Sequence, residues 1–89
     1  MMQVSYDAEA DAAYVRFSTA ASALQVPLDD DRVLDYAADG ALVGVELLSP
    51  SHGVDLSGIP RRSEVASAVR SLGFRVLATG PTATRETDR

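Results

Sequence analysis

The stretch Arg32-Val-Leu-Asp-Tyr36-Ala-Ala-Asp39-Gly40-Ala41-Leu-Val-Gly-Val-Glu-Leu-Leu48 decides the fold. Two runs rich in apolar and β-branched residues flank Asp39-Gly40. An Asp-Gly pair between such runs marks a β-hairpin, because glycine accepts the positive φ that the turn requires. In the second run Val43, Val45 and Leu47 recur at every second position, so alternate side chains point to opposite faces of a half-buried sheet.

Upstream, the same rhythm recurs. Met2, Val4 and Tyr6 alternate with Gln3 and Ser5, and Ala13, Val15 and Phe17 alternate with Tyr14 and Arg16. The short acidic link Asp7-Ala-Glu-Ala-Asp11 between them suits a tight connection, so residues 2–6 and 12–18 read as a second hairpin. Ser18 to Ala23 lacks periodicity and leads into a strand at Leu24, Val26 and Leu28, where Pro27 removes a ladder donor and assigns the strand to a sheet edge.

Downstream, Ser49 to Ile59 holds Pro50, Gly53 and Gly58 and reads as a loop crossing back over the sheet. Pro60 suits the first turn of a helix and Gly73 the position past its end. Between them Val65, Ala68, Val69 and Leu72 follow i, i+3, i+4, i+7 spacing, one apolar stripe that is expected to lie on the sheet. Phe74 to Leu77 extends the structure, and residues 79–89 have almost nothing to bury and are expected to be disordered. The fold class is therefore α+β: an antiparallel, meander-like sheet of about five strands with one C-terminal helix, residues 60–72, packed on one face, in a single domain over residues 1–78.

Composition agrees with a folded chain: 89 residues, 46% hydrophobic and 24% charged. There is no cysteine, which removes disulfides and thiolate chemistry together. The N-terminus carries no basic cluster followed by an apolar stretch, and no window approaches the roughly 18 apolar residues of a membrane span, so a cytoplasmic protein with no membrane contact is expected. The net charge of −5 conceals a split, with ten acidic and two basic residues in 1–60 against three and six in 61–89. Opposite patches of this kind serve self-association or an interaction tail.

Two motifs in order, Tyr6-Asp7-Ala-Glu9-Ala-Asp11-Ala-Ala-Tyr14-Val15-Arg16 and then Val33-Leu34-Asp35-Tyr36 with Asp39-Gly40 before Leu42-Val43-Gly44-Val45-Glu46-Leu47-Leu48, carry a family resemblance. Residues 2–50 resemble the YuzE-like family of small prokaryotic domains of unknown function, DUF2283. The resemblance implies a small, mostly β domain and supplies no catalytic residues.

Several groups of residues bear on chemistry. Counted from Asp35, a calcium loop would place Asp39, Gly40 and Glu46 correctly, but Ala37 and Val43 stand where ligands belong and both flanks are strands. Asp7, Glu9 and Asp11, and the run Asp29-Asp30-Asp31, read as solvated turns. His52, the only histidine, lies too close in sequence to Ser49, Ser51 and Asp55 to form a hydrolytic triad readily. Nucleic-acid binding is not expected, because Arg61, Arg62, Arg70, Arg75 and Arg85 face a strongly acidic remainder. Strand parity groups Tyr14, Arg16, Asp35 and Glu46 on the sheet face away from Val15, Phe17, Val43 and Val45; with His52 they form the candidate binding face.

The expected function is a non-catalytic protein-interaction module, a homodimer, with no cofactor and no metal. A small metal-dependent hydrolase built on His52 and the carboxylates of residues 29–35, and an antitoxin-like regulatory partner of a basic protein, are the alternatives.

Overall fold

The computed structural model describes residues 2–78, which form two compact units, one ending at Ser49 and the other beginning at Pro50. The tail expected at 79–89 lies outside the described residues.

The first unit is a five-stranded antiparallel sheet of β1 (Gln3–Asp7), β2 (Ala12–Arg16), β3 (Leu24–Pro27), β4 (Arg32–Tyr36) and β5 (Leu42–Leu48), in the order β1-β2-β5-β4-β3. Two pieces are plain meanders, the β1–β2 hairpin and the β3–β4–β5 run. They join through β2 and β5, so the chain leaving β2 crosses to the far edge before β3 begins, a Greek-key arrangement. Phe17 N–H still bonds Val43 O at 2.7 Å and Ala23 N–H bonds Tyr36 O at 2.8 Å. The five residues between them easily cover three inter-strand spacings of about 4.8 Å each. Small, aperiodic side chains suit such a link. Pro27 stands on the edge strand β3, where its missing N–H leaves no ladder bond unmade.

The register realises the two-residue rhythm. Val4, Val15, Val45, Leu34 and Val26 stand in one row across all five strands. Val15, Val45, Val43, Leu47, Ala13 and Leu34 are buried, with Val15 and Val45 wholly out of water. Fully burying a valine or leucine side chain stabilises by about 1.5–3 kcal/mol.

Ala37 N–H bonds Ala41 O at 2.8 Å and Gly40 N–H bonds Ala37 O at 2.9 Å, so the Asp39-Gly40 turn is a three-residue loop with Gly40 left-handed at φ 88. The Asp39 carboxylate accepts from Ala41 N–H at 3.0 Å. A Cβ on Gly40 would meet nothing within 4 Å, which isolates the backbone contribution. Gly40→Ala is therefore expected to destabilise by about 1–2 kcal/mol from the left-handed conformation alone; denaturant melts of the two proteins measure it.

The second unit holds a 3-10 turn (Pro50–His52), β6 (Val54–Asp55), α1 (Arg62–Ser71) and β7 (Val76–Ala78), with β6 and β7 parallel. Parallel neighbours need a crossover, and α1 supplies it. The segment 49–59, expected as loop, thus carries a turn of helix and a short strand, and Phe74 to Leu77 contributes to β7.

The helix is also shorter than the expected 60–72. Arg61 is left-handed at φ 54, which keeps Pro60 out of the helix and lets α1 begin at Arg62. The Arg61 guanidinium closes on Glu64 through two bonds of 2.6 and 2.7 Å. At the other end the expectation for Gly73 holds. Gly73 sits at φ 87, its N–H bonds Arg70 O at 2.9 Å, and Phe74 N–H bonds Val69 O at 3.1 Å, the paired pattern of a Schellman cap. Val65, Ala66, Ala68 and Val69 are buried.

The α+β class stands, with a five-stranded antiparallel sheet followed by one α-helix. Among the described residues no helix is long and apolar enough to cross a membrane.

Candidate binding face

On the side of the sheet opposite the buried valines, a second row runs Gln3, Arg16, Gly44, Asp35, Gln25 from edge to edge. The next row on that side places Ser5, Tyr14, Glu46 and Val33 together. The sheet therefore brings Tyr14, Arg16, Asp35 and Glu46 to one face, as strand parity predicts. His52 stands exposed in the 3-10 turn of the second unit.

Tyr14 organises the cluster. From β2 its ring leans diagonally across Gly44, and its hydroxyl donates to Asp35 Oδ2 on β4 at 2.8 Å. Gly44 makes this possible. A Cβ there would overlap Tyr14 Oη and lie 2.5 Å from Cζ and 2.7 Å from Cε2. Gln25 Nε2 donates to the other carboxylate oxygen of Asp35 at 3.1 Å. Asp35 is the buried charged residue of the chain's described part, 6% exposed, and both of its oxygens are engaged, as the burial of a carboxylate requires. The register of β4 against β5 shifts between Asp35 and Tyr36, a bulge beside the buried acid.

The phenol is held protonated. Burial raises the Tyr14 pKa most, the hydrogen bond to Asp35 and its charge add to this, and the value reaches about 12 although Arg16 pulls the other way. The folded state thus binds this proton more tightly than the unfolded chain, whose tyrosine titrates near 10.0. The resulting stabilisation is complete below pH 10 and disappears as pH rises toward 12. Tyr6 is raised in the same direction, chiefly by its hydrogen bond to Asp11 at 2.9 Å. The melting temperature is expected to fall through this alkaline window, and Tyr14→Phe should remove part of that fall; melts across the window check it.

Arg16 completes the face. Its guanidinium carbon lies 5.3 Å from the centroid of the Tyr14 ring, and Nη1 donates to Ser18 O at 3.1 Å. Cation–π stacking of this kind contributes about 0.5–1 kcal/mol where exposed. Next to it Gln3, Val4, Ser5, Tyr14 and Arg16 line a shallow hollow of about 400 Å³.

The acidic turns are built as turns. Asp7 Oδ1 accepts from Glu9 and Ala10 N–H at 3.0 and 3.3 Å, and Asp29 accepts from Asp31 N–H at 2.9 Å and from the Arg32 guanidinium at 2.8 and 3.0 Å. The Arg32 hydrogen bond holds the Asp29 pKa below its ordinary value. Both turns lie at one end of the sheet, since Leu48 N–H bonds Asp31 O and Ser49 N–H bonds Asp11 O. Among the described residues no group of three or more histidine or acidic side chains could hold a metal ion. Asp35 and Glu46 stand on adjacent strands of a hairpin, not around a cation.

Residues 3–51, more than half of the chain, match the family described as "protein of unknown function (DUF2283)". The chain belongs to this family. The DUF2283 segment coincides with the sheet and contains every member of the Tyr14 cluster, whereas His52 falls outside it. Searches of curated proteins and of solved structures returned no match.

Gly44 and Gln25 are the two members that sequence reading missed. A glycine inside an apolar strand does signal a close approach by another group, so Gly44 was open to inference. Gln25 gave no such signal: on an edge strand a glutamine is ordinary.

Proposed function

We propose that this DUF2283 protein is a non-catalytic protein-interaction module that self-associates and works through the polar face of its sheet. The observation that carries this reading is the commitment of the face's Tyr14 hydroxyl and Asp35 carboxylate to each other and to Gln25. Both oxygens of Asp35 accept hydrogen bonds from neighbouring side chains, and the Tyr14 proton is held into the strongly alkaline range. A general acid or base works best with a pKa near the operating pH. The Tyr14–Asp35 pair is instead a fixed, hydrogen-bonded platform, and preorganised surfaces of this kind bind with little ordering cost.

The hydrolase alternative draws on Asp29 and Asp35, which are held by Arg32 and by Tyr14 with Gln25. Sedimentation at micromolar concentration is expected to give a dimer, and melting temperatures with Mg²⁺, Mn²⁺, Zn²⁺ or Ca²⁺ to equal those without, since a specific site would stabilise the fold by mass action. A compact monomer that is stabilised by one of these ions would contradict the reading.

One observation favours a second partner class. Asp7, Glu9, Asp11, Asp29, Asp30 and Asp31 share one end of the sheet, a field that attracts a basic protein. This is the regulatory-partner reading, and it predicts association that weakens steeply with salt.

A further inference from the structure

Arg16 and Glu46 are the two charges of the polar face that the fold leaves unmatched: among the described residues neither has an ion-pair partner. The reason is Tyr14. Arg16 pairs with Gly44 in register and Gly44 with Asp35, so the guanidinium and the buried carboxylate occupy the same row with only a glycine between them. The Tyr14 ring fills the space over that glycine, takes Asp35 with its hydroxyl and offers Arg16 its ring. On the other side Glu46 pairs in register with Tyr14 itself. A half-buried cation and a half-buried anion thus flank one aromatic ring, as diagonal neighbours about 7–8 Å apart between Cα atoms.

We propose that this face is a two-fold interface between two copies of the chain, in which Arg16 of each copy pairs with Glu46 of the other across their Tyr14 rings. The proposal rests on the self-association reading above and names the surface that performs it. A two-fold interface is self-complementary, so a patch that is to meet itself needs opposite charges at equal distances from the axis. Arg16 and Glu46, on either side of Tyr14, meet that condition.

The composition fits as well. Tyr14, Val33, Leu42 and Leu48 are half-buried on or beside this face, and interfaces are enriched in aromatic residues and arginine while lysine is depleted. Geometry supplies a further argument. The separation of Arg16 from Glu46 is two residues along the strands and one strand across, so the two-fold that exchanges them lies in the interface across this diagonal and turns the strands of the second sheet past a right angle to those of the first. The acidic end of each copy then lies away from the acidic end of the other, which avoids the repulsion that a parallel stacking would create.

The test uses the full chain and two variants, Arg16→Glu and Glu46→Arg, each followed by sedimentation alone and after mixing. Each variant alone places like charges at both contacts and is expected to weaken the dimer by about a hundredfold or more. Mixed in equal amounts, the two variants set an opposite charge at both contacts, so they should form a heterodimer. Restored association also establishes that both variants fold. Should either variant fail to fold, Arg16→Gln and Glu46→Gln, each expected to weaken the dimer without reversing a charge, replace them.

Variants that dimerise as tightly as the parent would overturn the interface while leaving self-association standing. Two monomeric variants that do not associate on mixing would overturn the direct pairing. A parent chain that is itself monomeric would remove both the interface and the reading it rests on.

Discussion

Gly44→Ala is expected to lower the stability of the protein by about 2 kcal/mol, and the sign of its effect should reverse once Tyr14 is truncated. In most strands the substitution is favourable by about 0.5–1 kcal/mol, because alanine loses less backbone freedom on folding. Here the new methyl group would occupy the space of the Tyr14 hydroxyl end. The ring has to swing away, and the hydrogen bond to Asp35 goes with it. Overpacking typically costs about 1–3 kcal/mol, and a buried acceptor deprived of one partner about 1–3 kcal/mol. In a Tyr14→Ala background neither penalty exists, so Gly44→Ala should be neutral or stabilising by about 0.5 kcal/mol. Urea denaturation of the four proteins measures the coupling. Additive effects would mean that the ring does not lie over Gly44.

Tyr14→Phe is expected to cost about 1–3 kcal/mol, the range for stranding one side of a buried hydrogen bond, with the upper part favoured by the charge on the acceptor. The substitution keeps the ring, and with it the contact to Arg16 and the filling of the Gly44 trough. Only the donor is lost, and Asp35 is left with Gln25 alone. Replacing Asp35 by leucine in the same chain should recover part of the loss, because a buried carboxylate short of a partner is worse than an apolar group of similar size. A Tyr14→Phe protein within about 0.5 kcal/mol of the parent, the usual scatter of surface changes, would show that water supplies the missing donor.

The sheet was legible because its information is local. Period-two alternation in residues 2–6, 12–18 and 42–48 sorts side chains between faces without knowledge of which strands are neighbours. Asp39-Gly40 fixes one hairpin by backbone conformation alone. Strand order is different: the crossing from β2 to the far edge depends on how β5 fits beside β2, and nothing in Ser18 to Ala23 encodes it. The helix boundary failed for a similar reason. Pro60 is compatible with a first helical turn, but Arg61 adopts a left-handed conformation that the identity of an arginine does not announce. Parity assembled Tyr14, Arg16, Asp35 and Glu46 correctly, yet could not reveal that Tyr14 reaches diagonally over Gly44, since that depends on the absence of one side chain on a third strand. Short β6 escaped because a two-residue strand has too little pattern to read, and β7 showed only as an extension at Phe74 to Leu77.

In the proposed dimer each copy meets the other with the face that carries Tyr14, Arg16 and Glu46. Amide chemical shifts followed on dilution from high to low micromolar concentration test it most directly. The prediction is a concentration-dependent change at Ser5, Tyr14, Arg16, Gly44 and Glu46 with little change across α1. Shifts that stay constant on dilution, or that move only in residues beyond Pro50, would contradict it.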